Sequence, residues 1–388
     1  MVSQLKGILY SRKTESTSLR KVESHILREY KESDFSQLLE TAYLIARITR
    51  EKGGILDSDC GLALLGRLND LSYRASRQDT IRLIQVCSTL GNRNKAQAGD
   101  GTTQEIIVLR DALIDRSFAS LSGRLEDLPS ASLSLLISSL ARQYKPLFEK
   151  FFHEVADEVS RRAEQGATSS AFTHPSSILR LGDLERLVSY VYLAFAQASV
   201  ETPSSLNDSC LNFLTCHTDK IQYAHICQFI EAFRSCTRDA SRNDRFLLLI
   251  DYMRKAVSSH ESRENLQLMD FVRLVKGFPS EDLFRDALIQ EAKKRDREEF
   301  TIHALRDMAG ILSKMEKIDR NFELIFFNNL TRELPPKYLV DILCTLDAAP
   351  MVRRDLIAKF VKNLVRPNLQ RISQDDRKRL EKTSFFSV

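Results

Sequence analysis

The sequence predicts an all-α protein: an α-solenoid of about eight stacked antiparallel helical hairpins. Three observations predict it. Apolar residues recur at three and four positions along nearly the whole chain, and period-two alternation is scarce. The 388 residues include only 13 glycines and 9 prolines, too few for the frequent turns of a sandwich, barrel or propeller. A short apolar motif also returns at a spacing that suits a pair of helices. With 43% hydrophobic and 28% charged residues, the chain can bury a core and is not globally disordered.

The motif is two apolar residues, a variable one, a small one and a further apolar one. Clear copies are Val86-Cys87-Ser88-Thr89-Leu90, Leu136-Ile137-Ser138-Ser139-Leu140 and Val191-Tyr192-Leu193-Ala194-Phe195. Others are Phe229-Ile230-Glu231-Ala232-Phe233, Leu274-Val275-Lys276-Gly277-Phe278 and Ile342-Leu343-Cys344-Thr345-Leu346. Degenerate copies span Tyr43–Arg47 and Asp307–Ile311. The copies start at 43, 86, 136, 191, 229, 274, 307 and 342, so neighbours lie 33 to 55 residues apart. Two helices and two short loops fit that interval. The small residue lets two helices approach closely, and its large neighbours fill the space on either side.

Each copy marks the first helix of a pair, and a second helix follows it. The second helices are expected at Asp59–Tyr73, Gln104–Leu121, Tyr144–Gln165, Ser205–Thr215, Arg245–Val257, Ser280–Lys294, Arg320–Arg332 and Arg353–Val365. Helix starts are marked by Asp34 and Ser36, by Pro129 and Ser130, and by Pro279 and Ser280. Each set places a capping side chain before an apolar stripe. The expected organisation is a basic N-terminal segment 1–33, N-terminal repeats 34–165, a linker 166–177, C-terminal repeats 178–366 and a basic tail 367–388.

Charge is uneven. The net charge is +5, residues 1–31 carry seven Lys/Arg against three Glu, and residues 351–388 carry ten Lys/Arg against four acids. The ends are therefore net +4 and +6, and the middle is near −5. Such ends are either solvated faces or contacts to phosphate or an acidic neighbour. Lys6, Arg12 and Lys13 precede the first acid, Glu15, in a Ser/Thr-rich stretch. This fits an organelle-targeting segment, and an ordinary basic helix end fits it equally. No apolar run reaches the length of a membrane span.

No catalytic signature emerges, and neither an enzyme nor a cofactor is expected. Gly99-Asp100-Gly101-Thr102-Thr103 matches the phosphate-binding segment of chaperonins over five residues only, and is expected to be a turn before a helix. Cys210, Cys216, His217, His225, Cys227 and Cys236 cluster in sequence without C-x-x-C or H-x-x-x-H spacing. They are expected to be core thiols and isolated histidines, not a zinc site. The odd count of seven cysteines fits reduced thiols.

Cations carry the functional expectation. Arg47, Arg93, Arg142, Arg234 and Lys314 occupy comparable late positions of the first helices. In a helical array such positions line up along one edge, where cations can track a phosphate backbone. The alternative is that they complement the negative ends of helix dipoles. Arg353, Arg354, Lys359, Lys362 and Arg366 are expected to join them. Lys359, Lys362 and Arg366 share one helical face, and Leu356, Phe360 and Leu364 pack on another.

At the repeated motif the chain resembles organellar helical-repeat families: the octotricopeptide and heptatricopeptide repeat proteins and the repeat region of FAST-kinase-like proteins. Leu136-Ile137-Ser138-Ser139-Leu140-Ala141 and Phe229-Ile230-Glu231-Ala232-Phe233 carry the resemblance, which covers residues 34–366. It implies an α-solenoid that binds RNA in mitochondria or plastids. Irregular spacing departs from the pattern, and so does the ending in a basic helix, Asp375–Lys382, instead of a nuclease-like domain. RNA cleavage is therefore not expected. The expected function is a non-catalytic subunit binding RNA or an RNA–protein complex in mitochondrial RNA processing, editing, stability or translation. Its expected partners are RNA and other protein subunits of a large assembly. The alternative is a protein scaffold or adaptor without direct RNA contact.

Overall fold

The computed structural model describes residues 5, 31–52, 58–90, 101–141, 149–168, 180–278, 281–295, 300–315, 318–330 and 334–386. Among them every regular element is helical and none is a strand. The chain forms two compact units, residues 1–213 and 214–388. The expected linker 166–177 lies from 169 onward outside the described residues.

The first unit contains α1 (Phe35–Lys52), α2 (Ser58–Leu71), α3 (Arg77–Leu90), α4 (Gly101–Leu121), α5 (Ser130–Ala141), α6 (Glu149–Ala167) and α7 (Leu181–Ala198). The unit boundary falls within α8 (Ser204–Cys216). The motif-bearing helices touch in chain order, α1 to α3 to α5 to α7. α2 packs on α1 and on α4, α4 on α3, and α6 on α7. α1 starts where expected, with Asp34 Oδ1 accepting from the Gln37 N–H at 2.8 Å. α3 starts with a reciprocal cap, the Ser76 hydroxyl accepting from Asp79 N–H and the Asp79 carboxylate accepting from Ser76 N–H.

At α5 the expected cap is put to another use. The Ser130 hydroxyl accepts from Arg162 Nη1 at 3.0 Å. Arg162 is buried in α6, ion-paired with Glu158, and its Nη2 also donates to the carbonyls of Leu125 and Leu128. A guanidinium has five donors in a rigid fork, so one side chain can satisfy several carbonyls of a turn that has left the helical ladder.

The second unit contains α9 (Tyr223–Cys236), α10 (Asp244–Ser258), α11 (His260–Glu264), α12 (Leu268–Gly277), α13 (Asp282–Lys294), α14 (Ile302–Lys314), α15 (Arg320–Asn329), α16 (Pro336–Asp347) and α17 (Arg354–Phe360). A π turn, Val361–Val365, and a 3₁₀ stretch, Arg366–Arg371, continue α17 before α18 (Gln374–Glu381). Again the motif-bearing helices touch in order, α9 to α12 to α14 to α16, and α16 also packs on α18. A second layer runs α10 to α13 to α15. Between the layers Phe229, Phe233, Phe246, Phe278 and Phe284 form a continuous run of rings, with successive centroids 4.6 to 6.3 Å apart.

The small motif residues take the positions that their size requires. Ser139, Ala194, Ala232 and Gly277 are buried, and Thr89 and Thr345 are half-buried. Both threonine hydroxyls donate back to the carbonyl four residues earlier, that of Gln85 or Asp341. Ser280, expected at a helix start with Pro279, lies outside the described residues.

Candidate interface

The expected cations fall into three groups. Arg93 and Arg142 lie outside the described residues. Arg47 and the first-helix cations of the second unit form the next group. The third is the segment around α17.

Arg47 sits half-buried in a small groove of about 150 Å³ between α1, α3 and α5, with Tyr43, Gln85, Ser88, Thr89, Ser138 and Ser139. The Ser88, Thr89, Ser138 and Ser139 hydroxyls donate to backbone carbonyls of their own helices, those of Gln85 and Leu135. The groove is thus lined by hydroxyls beside one guanidinium.

On α9, α12 and α14 the motif face has mixed charge. The Lys276 ammonium bridges Glu231 and Asp307, 3.3 Å from the latter. Three consecutive motif-bearing helices are thus joined by one cation between two carboxylates. Arg234 is exposed, with its guanidinium 4.5 Å from the Phe278 ring centroid. Lys314 is exposed as the last residue of α14, where it complements the helix dipole.

Around α17 all five expected cations are exposed. They differ in their partners. Arg353 pairs with Asp355 at 2.7 Å, and its N–H donates to Glu323. Arg354 pairs with Asp347 at 3.2 Å. Arg366 lies over Phe386. Among the described residues Lys359 and Lys362 form no ion pair, although the Asp355 carboxylate is near enough to feel Lys359. Lys359, Lys362 and Arg366 are each exposed, but the π turn between them turns Arg366 away from the face that an unbroken α-helix would share with Lys359.

The packing face differs from the expected one. Ile357, Phe360, Val361 and Val365 are buried, and Leu356 and Leu364 are only half-buried. Ile357, Val361 and Val365 recur four apart on the buried side with Phe360 beside them, so the packing stripe is turned by one residue from Leu356, Phe360 and Leu364.

The clustered cysteines and histidines do not converge. Among the described residues no three His, Cys, Asp or Glu side chains are placed to hold a metal ion. Cys210, Cys227 and Cys236 are buried, and Cys216 is exposed. Burial raises the thiols of Cys210 and Cys227 well above their ordinary range. Gly99 and Asp100 lie outside the described residues, and Gly101 begins α4. No described helix is long and apolar enough to cross a membrane.

Sequence reasoning missed two polar features. One is the Arg162 clamp. The other is the cluster of Asp347, Arg354 and Ser384, in which residues after α18 return to α16 and α17. Neither has a local signal, because each joins residues at least 30 positions apart. In comparisons with known proteins, no family model matches the chain and no curated protein matches its sequence.

Proposed function

We propose that the protein is a non-catalytic α-solenoid of about eight hairpins that binds RNA, directly or within an RNA–protein complex, through the exposed cations Lys359, Lys362 and Arg366. One observation carries this reading. These cations are exposed on one helical stretch, and Lys359 and Lys362 have no ion-pair partner among the described residues. Unpaired cations are free to replace the counterions of a phosphate backbone, which is the main source of sequence-independent affinity. A role in mitochondrial RNA metabolism rests on the resemblance of the repeated motif alone.

A second reading has its own observation. The Glu231–Lys276–Asp307 bridge gives the motif face of α9, α12 and α14 mixed charge, which suits a protein partner better than a polyanion. In that reading the protein is a scaffold or adaptor.

Anisotropy titration of the full chain with a fluorescent single-stranded RNA over a salt series separates the two. Replacing Lys359, Lys362 and Arg366 by Gln is expected to weaken binding and flatten the log–log salt slope by about 2 units, from about 0.7 per phosphate contact. An unchanged affinity and slope, with loss of a protein partner in a pulldown, assigns the surface to the scaffold.

A further inference from the structure

Residues 384–386 fold back over α17 and its continuation. Ser384 anchors them: its hydroxyl and its N–H both donate to the Asp347 carboxylate, the N–H at 3.1 Å. Arg354 closes the same cluster. Its Nη1 lies 3.2 Å from Asp347 Oδ1 and 3.3 Å from Ser384 Oγ, and its Nη2 donates to the Asp347 carbonyl. Two rings follow Ser384, and each meets a guanidinium. Arg354 Cζ is 5.5 Å from the Phe385 ring centroid, and Arg366 Cζ is 5.9 Å from that of Phe386. Both distances lie within the range of cation–π attraction.

The helix sets these two arginines on one side, roughly 18 Å apart along its axis. In an unbroken α-helix the twelve steps from 354 to 366 would leave Arg366 about a third of a turn away from Arg354. The π turn Val361–Val365 takes up an extra residue and rotates Arg366 back toward the side of Arg354. Lys359 and Lys362 are exposed on the stretch between them.

We infer that Arg354 and Arg366 form a seat for flat aromatic rings, that bases of single-stranded RNA stack there, and that Phe385 and Phe386 occupy it in the free protein. This rests on the RNA reading above and adds a base-stacking site and a competitor to it. Guanidinium planes stack on unpaired bases as they do on phenyl rings, and single-stranded RNA is bound through such stacking together with cations along its backbone. A phenylalanine peptide offers the rings alone. Single-stranded RNA offers rings and phosphates, and so also engages Lys359 and Lys362. Ser384 is exposed, so the return of the chain over the seat is reached from solvent and can be displaced.

The experiment measures binding of a short fluorescent oligouridylate to the full chain, together with chymotryptic cleavage after Phe385 and Phe386. Replacing Phe385 and Phe386 by Ser vacates the seat. If the closed state holds about nine-tenths of the free protein, affinity rises about tenfold. Replacing Arg354 and Arg366 by Ala in that background weakens binding at least about fivefold for each base stack lost. RNA added to the wild-type chain speeds the cleavage, because the phenylalanines are released. Phe385→Tyr with Phe386→Tyr keeps the rings and behaves as wild type. If the Ser variant binds no more tightly and RNA leaves cleavage unchanged, the inference is overturned. Lys359→Gln with Lys362→Gln then still flattens the salt slope if the RNA reading stands. If neither wild type nor the Ser variant binds RNA, both fall together. If the vacated seat takes a Ser-Phe-Phe peptide but not RNA, it belongs to a protein tail, and the assignment to bases is wrong.

Discussion

Gly277 of α12 faces Ile230 of α9 so closely that a β-carbon on the glycine would stand 3.3 Å from Ile230 Cγ2 and 3.6 Å from the Glu231 Cα. Both residues belong to copies of the repeated motif, so the small position of one copy receives the backbone of the preceding one. Gly277→Ala is expected to be close to neutral. The helix gains up to about 1 kcal/mol of propensity, and the few tenths of an ångström by which the stiff, β-branched Ile230 must give offset it. Gly277→Leu has no such room and is expected to destabilise by about 1–3 kcal/mol. Urea denaturation followed by circular dichroism compares them, and equal midpoints for Gly and Leu would sink the packing argument.

The same contact shows why the fold was legible. A helical stripe and a small residue are local features, and Ser139, Ala194, Ala232 and Gly277 are buried as their motif position requires. Seven of the eight second helices overlap their expected spans closely, such as α10 at Asp244–Ser258 against 245–257. The eighth, α17, runs only to Phe360 before the π turn. The buried stripe is Ile357, Val361 and Val365, one residue on from Leu356, Phe360 and Leu364; apolar residues fill both registers, so the sequence does not say which one faces the core. The α17 cations were legible as exposed residues. Their differing partners were not, because Asp347 and Ser384 reach Arg354 from elsewhere in the chain.

Arg162 makes a sharper stability prediction. Its guanidinium is buried and holds Glu158, the Ser130 hydroxyl and the carbonyls of Leu125 and Leu128. Removing it leaves the buried Ser130 hydroxyl and the Leu125 and Leu128 carbonyls without this donor, and leaves Glu158 to Arg161 alone. Arg162→Ala is expected to cost about 3 kcal/mol or more. Arg162→Lys recovers little, since an ammonium cannot reproduce the planar fork. A melting temperature for either variant within a degree or so of wild type would contradict this clamp.

Lys276 is expected to matter much less. It joins Glu231 and Asp307, but all three side chains retain solvent contact. A double-mutant cycle between Lys276→Met and Glu231→Gln is expected to give a coupling of about 1 kcal/mol or less, shrinking as salt is raised. A coupling that is large and insensitive to salt would mean that the bridge is effectively dry.

Thiol labelling tests the cores of both units. Cys60, Cys87, Cys210, Cys227 and Cys236 are buried, and burial raises the Cys87 thiol to about 12. A thiol without access or thiolate character reacts slowly. In the native protein an aromatic disulfide reagent is expected to modify Cys216 first and Cys344 more slowly, and the other five only after unfolding. Peptide mapping of the labelled chain reads the order. Fast native labelling of Cys227 would show that the α9 face is open.

The cluster at Asp347 predicts a response to acid. Partial burial pushes this carboxyl upward, but the side-chain and backbone donors of Ser384 and the Arg354 guanidinium outweigh it and hold the group below its ordinary 3.8. On α18, Arg379 is paired with Asp341 and Asp376. A carboxyl with a lower pKa in the folded state stabilises the fold in its ionised form. That contribution is fully present above about 3.8 and is lost as pH falls through the lower folded value. Acidification through that window is therefore expected to release residues 384–386 as a local opening. Amide exchange at Ser384, corrected for its intrinsic pH dependence, reads the opening, because that N–H donates to Asp347. Asp347→Asn removes the charge, so its Ser384 amide is expected to exchange faster already at neutral pH and to show no acid step of its own. If wild-type protection at Ser384 stays constant through the window, or if the Asn variant keeps both the protection and the step, then Asp347 does not hold this segment and another group must.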